Sequence, residues 1–406
     1  ISRISVENDA RWPMKITSID VFDFAKCLNY EDCAPICIRI NTDAGICGFG
    51  EVGLAYGNAH YAGVGIVRDF GQLIIGMDPL NIEAIREKLF RTTFWGMGGG
   101  TIISAGMSAI DIALWDIKGK YYGIPIYEFL GGKARDRIKV YSWIGGDRPD
   151  DVAKAALERK KMGFDAVKMN ATEELHYVDT FDKVQAVVDR VASIREVLGN
   201  DFGIAVDFHG RVHKPMAKVL AHELEPYKLM FFEEVVLPEN EESFQSIANQ
   251  VSTPLATGER LITRWEYKRL FQQGAVDIIQ PDVALCGGIL ETKKIVSMAE
   301  AYDMAAAPHA PYGPIALAAT LQVDVCSPNV FIQEQSLGIH YNKGFDLLDF
   351  IKNKEVFQYK DGYVDIPKKP GLGLEIDEDM VKEVSAEGLH WTNPKWRNYD
   401  GTMAEW

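Results

Sequence analysis

Residues 203–260 contain three short runs that each lead to a carboxylate: GIAVD (203–207), LMFFE (229–233) and PLATGE (254–259). The three acids, Asp207, Glu233 and Glu259, are spaced 26 residues apart, about the length of one strand plus one crossover helix in a parallel barrel. Because the carboxyl ends of barrel strands meet at one face, this spacing predicts that the three side chains converge. Three further polar residues follow at similar intervals: Asp282, His309 and Glu334.

Short β-rich runs alternate with amphipathic helical segments from Ile138 onward. Eight runs favour strands: KVYSW, AVKM, GIAVD, LMFFE, PLAT, VDIIQ, MAAAP and VFIQ. The segments between them place apolar residues at i, i+3 and i+4, which is typical of helices with one buried face. This alternation predicts an α/β fold, a (β/α)8-type barrel (a modified TIM barrel), as the catalytic domain over residues 133–340.

The regions on either side of the barrel have a different pattern. Residues 14–132 contain two strands, a turn and then helical segments, which predicts an α+β capping domain. Residues 341–406 are polar and irregular, and we expect them to return to the cap. Residues 1–13 precede the first alternating strand and are predicted to be an extension outside the fold.

Acidic residues dominate the charge of the chain. The 58 Asp and Glu residues against 43 Lys and Arg give a net charge of −15 at pH 7. Nucleic acid and anionic membrane are therefore not expected as partners, because both would be repelled. The six cysteines include no paired CxxC motif, which favours reduced structural thiols over a zinc site. No apolar run of 18 residues and no signal peptide is recognisable, so we expect a cytoplasmic enzyme.

A cluster of three carboxylates has a specific consequence for ligands. One buried acid alone is about as often part of a salt bridge or a helix cap. Three together repel one another unless a cation neutralises them, and all-oxygen ligation favours Mg²⁺. Glu234 is adjacent to the trio, but the period of two in a strand would turn it to the opposite face, so we prefer Glu233.

Seven short motifs share one family pattern: KMN (168–170), DFHGR (207–211), FEE (232–234), TGER (257–260), QPD (280–282), APH (307–309) and QEQS (333–336). Together they resemble the enolase superfamily, mandelate racemase branch, and most closely its dehydratases that act on galactonate. The similarity runs from Met14 to the closing residues. It implies a Mg²⁺ site at Asp207, Glu233 and Glu259, and a small sugar acid as substrate. It also implies a homo-oligomer such as an octamer.

The resemblance also implies roles for the remaining polar residues. Racemases of this branch carry a second lysine two residues after the first, but here Lys168 is followed by Asn170, so one face lacks the usual base. We therefore expect His309 to be the general base, with Asp282 orienting its ring. His209 is expected to be the general acid that protonates the departing hydroxyl. The substrate carboxylate is expected to be bound by Glu334, Lys168 and Asn170. For each histidine the alternative is a structural residue in the core.

These features predict a dehydratase that removes the C2 proton and the 3-hydroxyl of an aldonate such as D-galactonate, to give a 2-keto-3-deoxy acid. Three alternatives remain open: a dehydratase for another aldonate or aldarate, an epimerase or cycloisomerase, and a barrel that binds sugar acids without turnover. A loop at about residues 24–35 is expected to read the distal hydroxyls. GFGEVG (48–53) fits a nucleotide-binding motif, but it follows a hairpin turn and opens no βαβ unit, so we do not expect a nucleotide site.

Overall fold

A computed structural model describes residues 13–24, 35–54, 59–145, 151–336, 347–387 and 396–405. The first region is an antiparallel sheet of three strands, followed by three helices. The strands are β1 (Ile16–Asp23), β2 (Ile36–Thr42) and β3 (Cys47–Val52), and the helices are α1 (His60–Ile74), α2 (Ile82–Arg91) and α3 (Gly100–Tyr122). Most of the loop predicted to read the substrate, residues 25–34, and residues 1–12 of the expected extension lie outside the described residues.

Two glycines let β3 lie directly on α3. A Cβ atom on Gly48 or Gly50 would stand 2.0 Å from a carbonyl oxygen of Ala113 or Ala109, so only glycine permits this approach. The GFGEVG segment is thus a cap strand packed on a helix. By length and composition α3 could cross a membrane, but 78% of its apolar window is buried inside the protein, as expected for a core helix.

The second region alternates strands and helices. The strands are β4 (Arg137–Ile144), β5 (Ala166–Asn170), β6 (Gly203–Asp207), β7 (Phe232–Glu233), β8 (Leu255–Thr257), β9 (Ile278–Ile279), β10 (Ala305–Ala306) and β11 (Gln333–Gln335). The helices between them are α4 (Val152–Lys161), α5 (Phe181–Leu198), α6 (Lys214–Leu224), α7 (Phe244–Ala248), α8 (Thr263–Gln273), α9 (Gly288–Glu300) and α10 (Pro314–Val325). Each strand from β4 to β9 pairs in parallel with the next one along the chain.

The sheet closes on itself. β11 pairs in parallel with β4, and a bridge between Ala306 and Val330 joins β10 to the segment before β11. The predicted barrel with an α+β cap is therefore confirmed, with seven α-helices between its eight strands in the described residues.

The inside of the barrel is packed with side chains. Each of the eight strands, or the residue beside it, contributes one buried apolar side chain to a single layer: Tyr141, Ala166, Ala205, Phe231, Ala256, Ile278, Ala307 and Ile332. Four aromatic or branched side chains share this layer with four alanines, which fills the interior without a pore. This layer forms a floor beneath the carboxyl ends of the strands.

The chain beyond β11 touches both regions. A hairpin of β12 (Tyr359–Lys360) and β13 (Tyr363–Asp365) pairs with the start of β4. α11 (Glu378–Glu387) packs beside β1, and Glu378 forms an ion pair with Arg39 of β2. The exact domain boundaries stay a prediction.

Candidate active site

A layer of polar side chains lies directly above the apolar floor. Because side chains in a strand alternate with a period of two, each floor residue is followed two positions later by a residue that faces the same interior. Six polar residues occupy these positions: Lys168, Asp207, Glu233, Gln280, His309 and Glu334. The fold thus gathers side chains that are distant in sequence at the carboxyl end of the barrel.

The carboxylates of Asp207, Glu233 and Glu259 come together at this end. One oxygen of each lies within 4.8 Å of the others. Asp207 and Glu233 are neighbours in the register of β6 and β7, and Glu259 reaches in from the turn after β8. Asp207 and Glu233 are buried, and Glu259 is 9% exposed.

Glu233 also accepts hydrogen bonds from two side chains. Lys168 Nζ lies 2.7 and 2.8 Å from its two oxygens, and the amide of Gln280 donates to Oε2 at 2.6 Å. Lys168 also lies 2.8 Å from Glu334. Burial alone would lower the pKa of Lys168, but these carboxylates raise it well above its usual value, so the ammonium is charged.

One lysine does not balance the acids. Burial and the nearby Asp207 raise the pKa of Glu233 well above its usual value, and burial raises the pKa of Asp207 to about 6 despite Lys168. The raised pKa values indicate that Asp207 and Glu233 are incompletely compensated by positive charge, and a bound cation would compensate them. Each carboxylate oxygen has two lone pairs, so Glu233 can accept its hydrogen bonds and still ligate an ion. The all-oxygen donor set fits a hard divalent cation.

His309 faces this cluster. Its Nδ1 lies 2.7 Å from Asp282, and its Nε2 lies 3.3 Å from Glu259 and 3.9 Å from Glu334. Burial acts to lower the pKa of His309, but the three carboxylates outweigh it and raise the pKa to about 10. In the same pair, burial acts to raise the pKa of Glu259, but His309 and Arg260 bring it down to about 2.

His209 lies in the turn after β6, with a left-handed φ of 54°. Its backbone N–H donates to Asp207 at 2.6 Å, and Arg211 Nη2 donates to its Nδ1 at 2.8 Å. This contact places the ring proton on Nε2. Burial and Arg211 lower the pKa of His209 well below its usual value, so the ring is neutral in this arrangement.

Two other predicted residues lie at the edges of the cluster. Glu334 accepts the backbone N–H of Ala310 at 3.0 Å, beside its contact with Lys168. Burial acts to raise the pKa of Glu334, but Lys168 and His309 bring it below its usual value. Asn170 is fully buried and is paired in register with Asp207.

A cavity of about 330 Å³ opens above these side chains. The cap contributes Gly53, Leu54 and Thr101 to its wall. Several lining residues of the barrel were not predicted from the sequence: Trp143, Arg260, Leu285, Pro311, Tyr312 and Ser336. Trp143 lies two residues after the floor residue Tyr141 and so follows the strand period, and Arg260 and Ser336 lie within the TGER and QEQS motifs. Leu285, Pro311 and Tyr312 carry no such signal, and only the closed barrel brings them to the rim.

Glu234 lies where the two-residue alternation of strand side chains ends. It follows β7 directly but has a left-handed φ of 42°, so the alternation of a regular strand ends at this residue. Its carboxylate accepts from Arg260 Nε at 3.0 and 3.1 Å, and Glu234 is not among the described residues that line the cavity. Burial and Glu259 raise the pKa of Glu234 to about 8.

Two family models match most of the chain. The model described as "Enolase C-terminal domain-like" matches residues 151–380, and the N-terminal domain model of mandelate racemase and muconate lactonizing enzyme matches residues 30–131.

Similar proteins agree with the family models. A D-galactonate dehydratase of Ralstonia pickettii is 48% identical over 91% of this chain and 96% of its own length, and one of Cronobacter sakazakii is 47% identical over the same shares. A crystal structure of an enolase superfamily member from Salmonella typhimurium superposes with a TM-score of 0.81 at 37% identity, over 91% of this chain and 98% of that one. The chain therefore belongs to the enolase superfamily, with the N- and C-terminal domains of its mandelate racemase and muconate lactonizing enzyme branch.

Proposed function

We propose that this protein is a Mg²⁺-dependent hydro-lyase that converts D-galactonate to its 2-keto-3-deoxy acid. Dehydration of a sugar acid is the reaction class, since D-galactonate dehydratases match 91% of the chain at 47–48% identity. Members of the superfamily use a divalent metal, and the chain gathers three acids to hold one. The observation that carries the proposal is the placement of His309 at 3.3 Å from the carboxylate trio, with Asp282 behind its ring.

A divalent cation held by Asp207, Glu233 and Glu259 would supply positive charge to the substrate carboxylate, where negative charge develops as the neighbouring C–H proton leaves. Lys168 lies beside the same acids and can donate a hydrogen bond to the substrate carboxylate. Glu334 is joined to Lys168 and can orient it. Asn170 is proposed to bind the substrate carboxylate together with Lys168 and Glu334.

His309 is proposed to take the proton from C2 through Nε2, the nitrogen that faces the cluster. Asp282 holds the opposite nitrogen, so the ring is fixed and the imidazolium formed by proton transfer is stabilised. The His309 imidazole must be neutral before it can accept a proton. The negative charge of Glu259, when no cation offsets it, keeps the ring protonated. Neutralising the charge of Glu259 is therefore part of preparing the base.

His209 is proposed to donate a proton to the 3-hydroxyl as it departs. Its position two residues after Asp207 accompanies its place on the cavity wall, and the contact with Arg211 leaves its ring proton on Nε2. A neutral imidazole is a weak acid, so His209 must first take up a proton from solvent at Nδ1, which displaces the hydrogen bond from Arg211, and it then gives the Nε2 proton to the departing hydroxyl, which leaves as water. Arg211 disfavours that protonation before substrate enters.

The proposal is tested by incubating the protein with Mg²⁺ and D-galactonate in D2O, with D-gluconate and galactarate as comparison substrates. We expect release of a 2-keto-3-deoxy acid from D-galactonate. Exchange of the C2 hydrogen without loss of water would instead indicate an epimerase. Preferential turnover of D-gluconate or galactarate would assign another aldonate or an aldarate as substrate. A cytoplasmic location and a homo-oligomeric assembly remain predictions.

A further inference from the structure

A buried acid of the cap reaches across to the barrel loop that carries His309. Glu51 lies near the end of β3 and is 1% exposed. Its Oε1 accepts the backbone N–H of Gly313 at 2.6 Å, and its Oε2 accepts that of Ala316 at 2.9 Å. These partners lie 262 and 265 residues further along the chain, so the contact exists only when the cap is docked on the barrel.

The contact replaces an ordinary helix cap. Helix α10 starts at Pro314, so Gly313 is its N-cap residue and Ala316 the third residue of its first turn. An N-cap side chain usually accepts the N–H of the second or third residue, but glycine has none to offer. Glu51 supplies that oxygen from another domain, where the positive end of the helix dipole favours a carboxylate. A Cβ on Gly313 would stand 2.7 Å from Glu51 Oε1, so glycine is what makes room.

Residues 309–313 are consequently held from two sides. On the barrel side, His309 contacts Asp282 and Ala310 donates to Glu334. On the cap side, Glu51 fixes Gly313. The two residues in between line the cavity: Pro311 and Tyr312.

The neighbouring loop, which carries Asp282, is held in the same way. Helix α9 also has a glycine N-cap, Gly287, and the N–H of its third residue, Leu290, faces Asp111 of α3 at 3.4 Å. Ser108 of α3 accepts the N–H of Gly287 at 2.9 Å. Thus cap groups hold the starts of both helices that follow the His309 and Asp282 loops.

We propose that Glu51 is a positioning residue for His309: by holding the start of α10, it fixes the loop that aligns the imidazole with the cavity. The inference rests on the proposed function in one respect, that His309 is the base. If Glu51 only held the cap against the barrel, its replacement would lower the stability of the fold and leave kcat unchanged. Misplacement of a catalytic group by about 1 Å can cost roughly 100-fold in rate, so the two roles are separable by kinetics.

The test compares Glu51→Gln and Gly313→Ala with a matched control, Asp116→Asn. Asp116 is another buried acid of the cap, 3% exposed, which accepts the N–H groups of Phe49 and Leu372. It also accepts from Lys120 Nζ at 2.6 Å, and none of these three partners is among the described residues that line the cavity. The Gln variant weakens the contact with α10, and the Ala variant displaces the carboxylate while leaving it in the chain.

We expect kcat to fall by about 100-fold in Glu51→Gln and Gly313→Ala with little change in KM. Amide hydrogen exchange at residues 310–317 should become faster in both. Asp116→Asn should lower Tm but keep the kcat of the wild type. The proposal is wrong if both test variants fold and keep kcat and exchange at the wild-type level. Wild-type protein that does not dehydrate D-galactonate would refute the proposed function separately, and the exchange measurement would still decide whether Glu51 holds the loop.

Discussion

Replacing Glu259 by glutamine should lower the pKa of His309 in protein stripped of metal. The carboxylate lies 3.3 Å from His309 Nε2, and the two side chains are 11% and 12% exposed. With an effective dielectric constant of about 20, two unit charges at this distance attract by about 5 kcal/mol. That energy corresponds to between about three and four pKa units. It is thus comparable with the whole rise in the pKa of His309 from 6.5 to about 10.

The assay is a pH titration by NMR with the histidine Cε1 positions labelled, with the His309 signal assigned from its loss in His309→Asn. We expect the pKa to move from about 10 in the wild type towards the ordinary value of about 6.5 in Glu259→Gln. Asp116→Asn is the matched control, because that buried acid of the cap is paired with Lys120 and is not among the charges that raise the pKa of His309. It should leave the titration of His309 unchanged.

The stability of the metal-free protein should depend on pH through the titration of His309. A histidine whose pKa is raised on folding contributes stability that is fully present below about pH 6.5 and is lost as the pH rises towards about 10. Metal-free wild type should therefore lose stability over that range, and Glu259→Gln should lose less. A wild-type His309 that titrates near 6.5 without metal, or an unchanged pKa in Glu259→Gln, would refute the electrostatic reasoning.

Three further predictions concern activity, packing and pH. His309→Asn should reduce kcat by ~10²–10⁴ through loss of the base, as measured by ketoacid release, and full turnover would remove His309 from this role. Gly288→Ala should lower the free energy of unfolding by about 1–3 kcal/mol in denaturant titrations, because φ is 88° and the new Cβ would stand 2.3 Å from Asp111; wild-type stability would contradict this. Burial raises the pKa of Glu51 from 4.5 to about 7, so folding binds a proton there and wild-type stability should fall as the pH rises between those values. Glu51→Gln should show a flatter slope in thermal melts over this range, and an identical slope would contradict that origin.

The sequence predicted the parts of the site that follow strand periodicity. Asp207, Glu233, His309 and Glu334 each lie two residues after a floor residue, so their gathering at one end follows from strand geometry. The family resemblance supplied the roles, which stay predictions until variants are measured.

Features that depend on the docking of distant segments could not be predicted in this way. Glu51 meets Gly313 across 262 residues, and no local pattern marks the pair. Glu234 leaves the strand alternation because of its left-handed backbone, which periodicity does not anticipate. The neutral state of His209 follows from its burial and from Arg211, and the charge of His309 from Glu259; the burial of His209 and the approach of Glu259 to His309 are fixed only by the fold.

The most direct measurement is calorimetric titration of Mg²⁺ into protein stripped by a chelator, with turnover of D-galactonate recorded on the same samples. The account predicts one ion bound per chain, no turnover before its addition, and loss of both binding and turnover in Asp207→Asn. Protein that turns over its substrate equally well after chelation, or that binds the ion unchanged in Asp207→Asn, would contradict it.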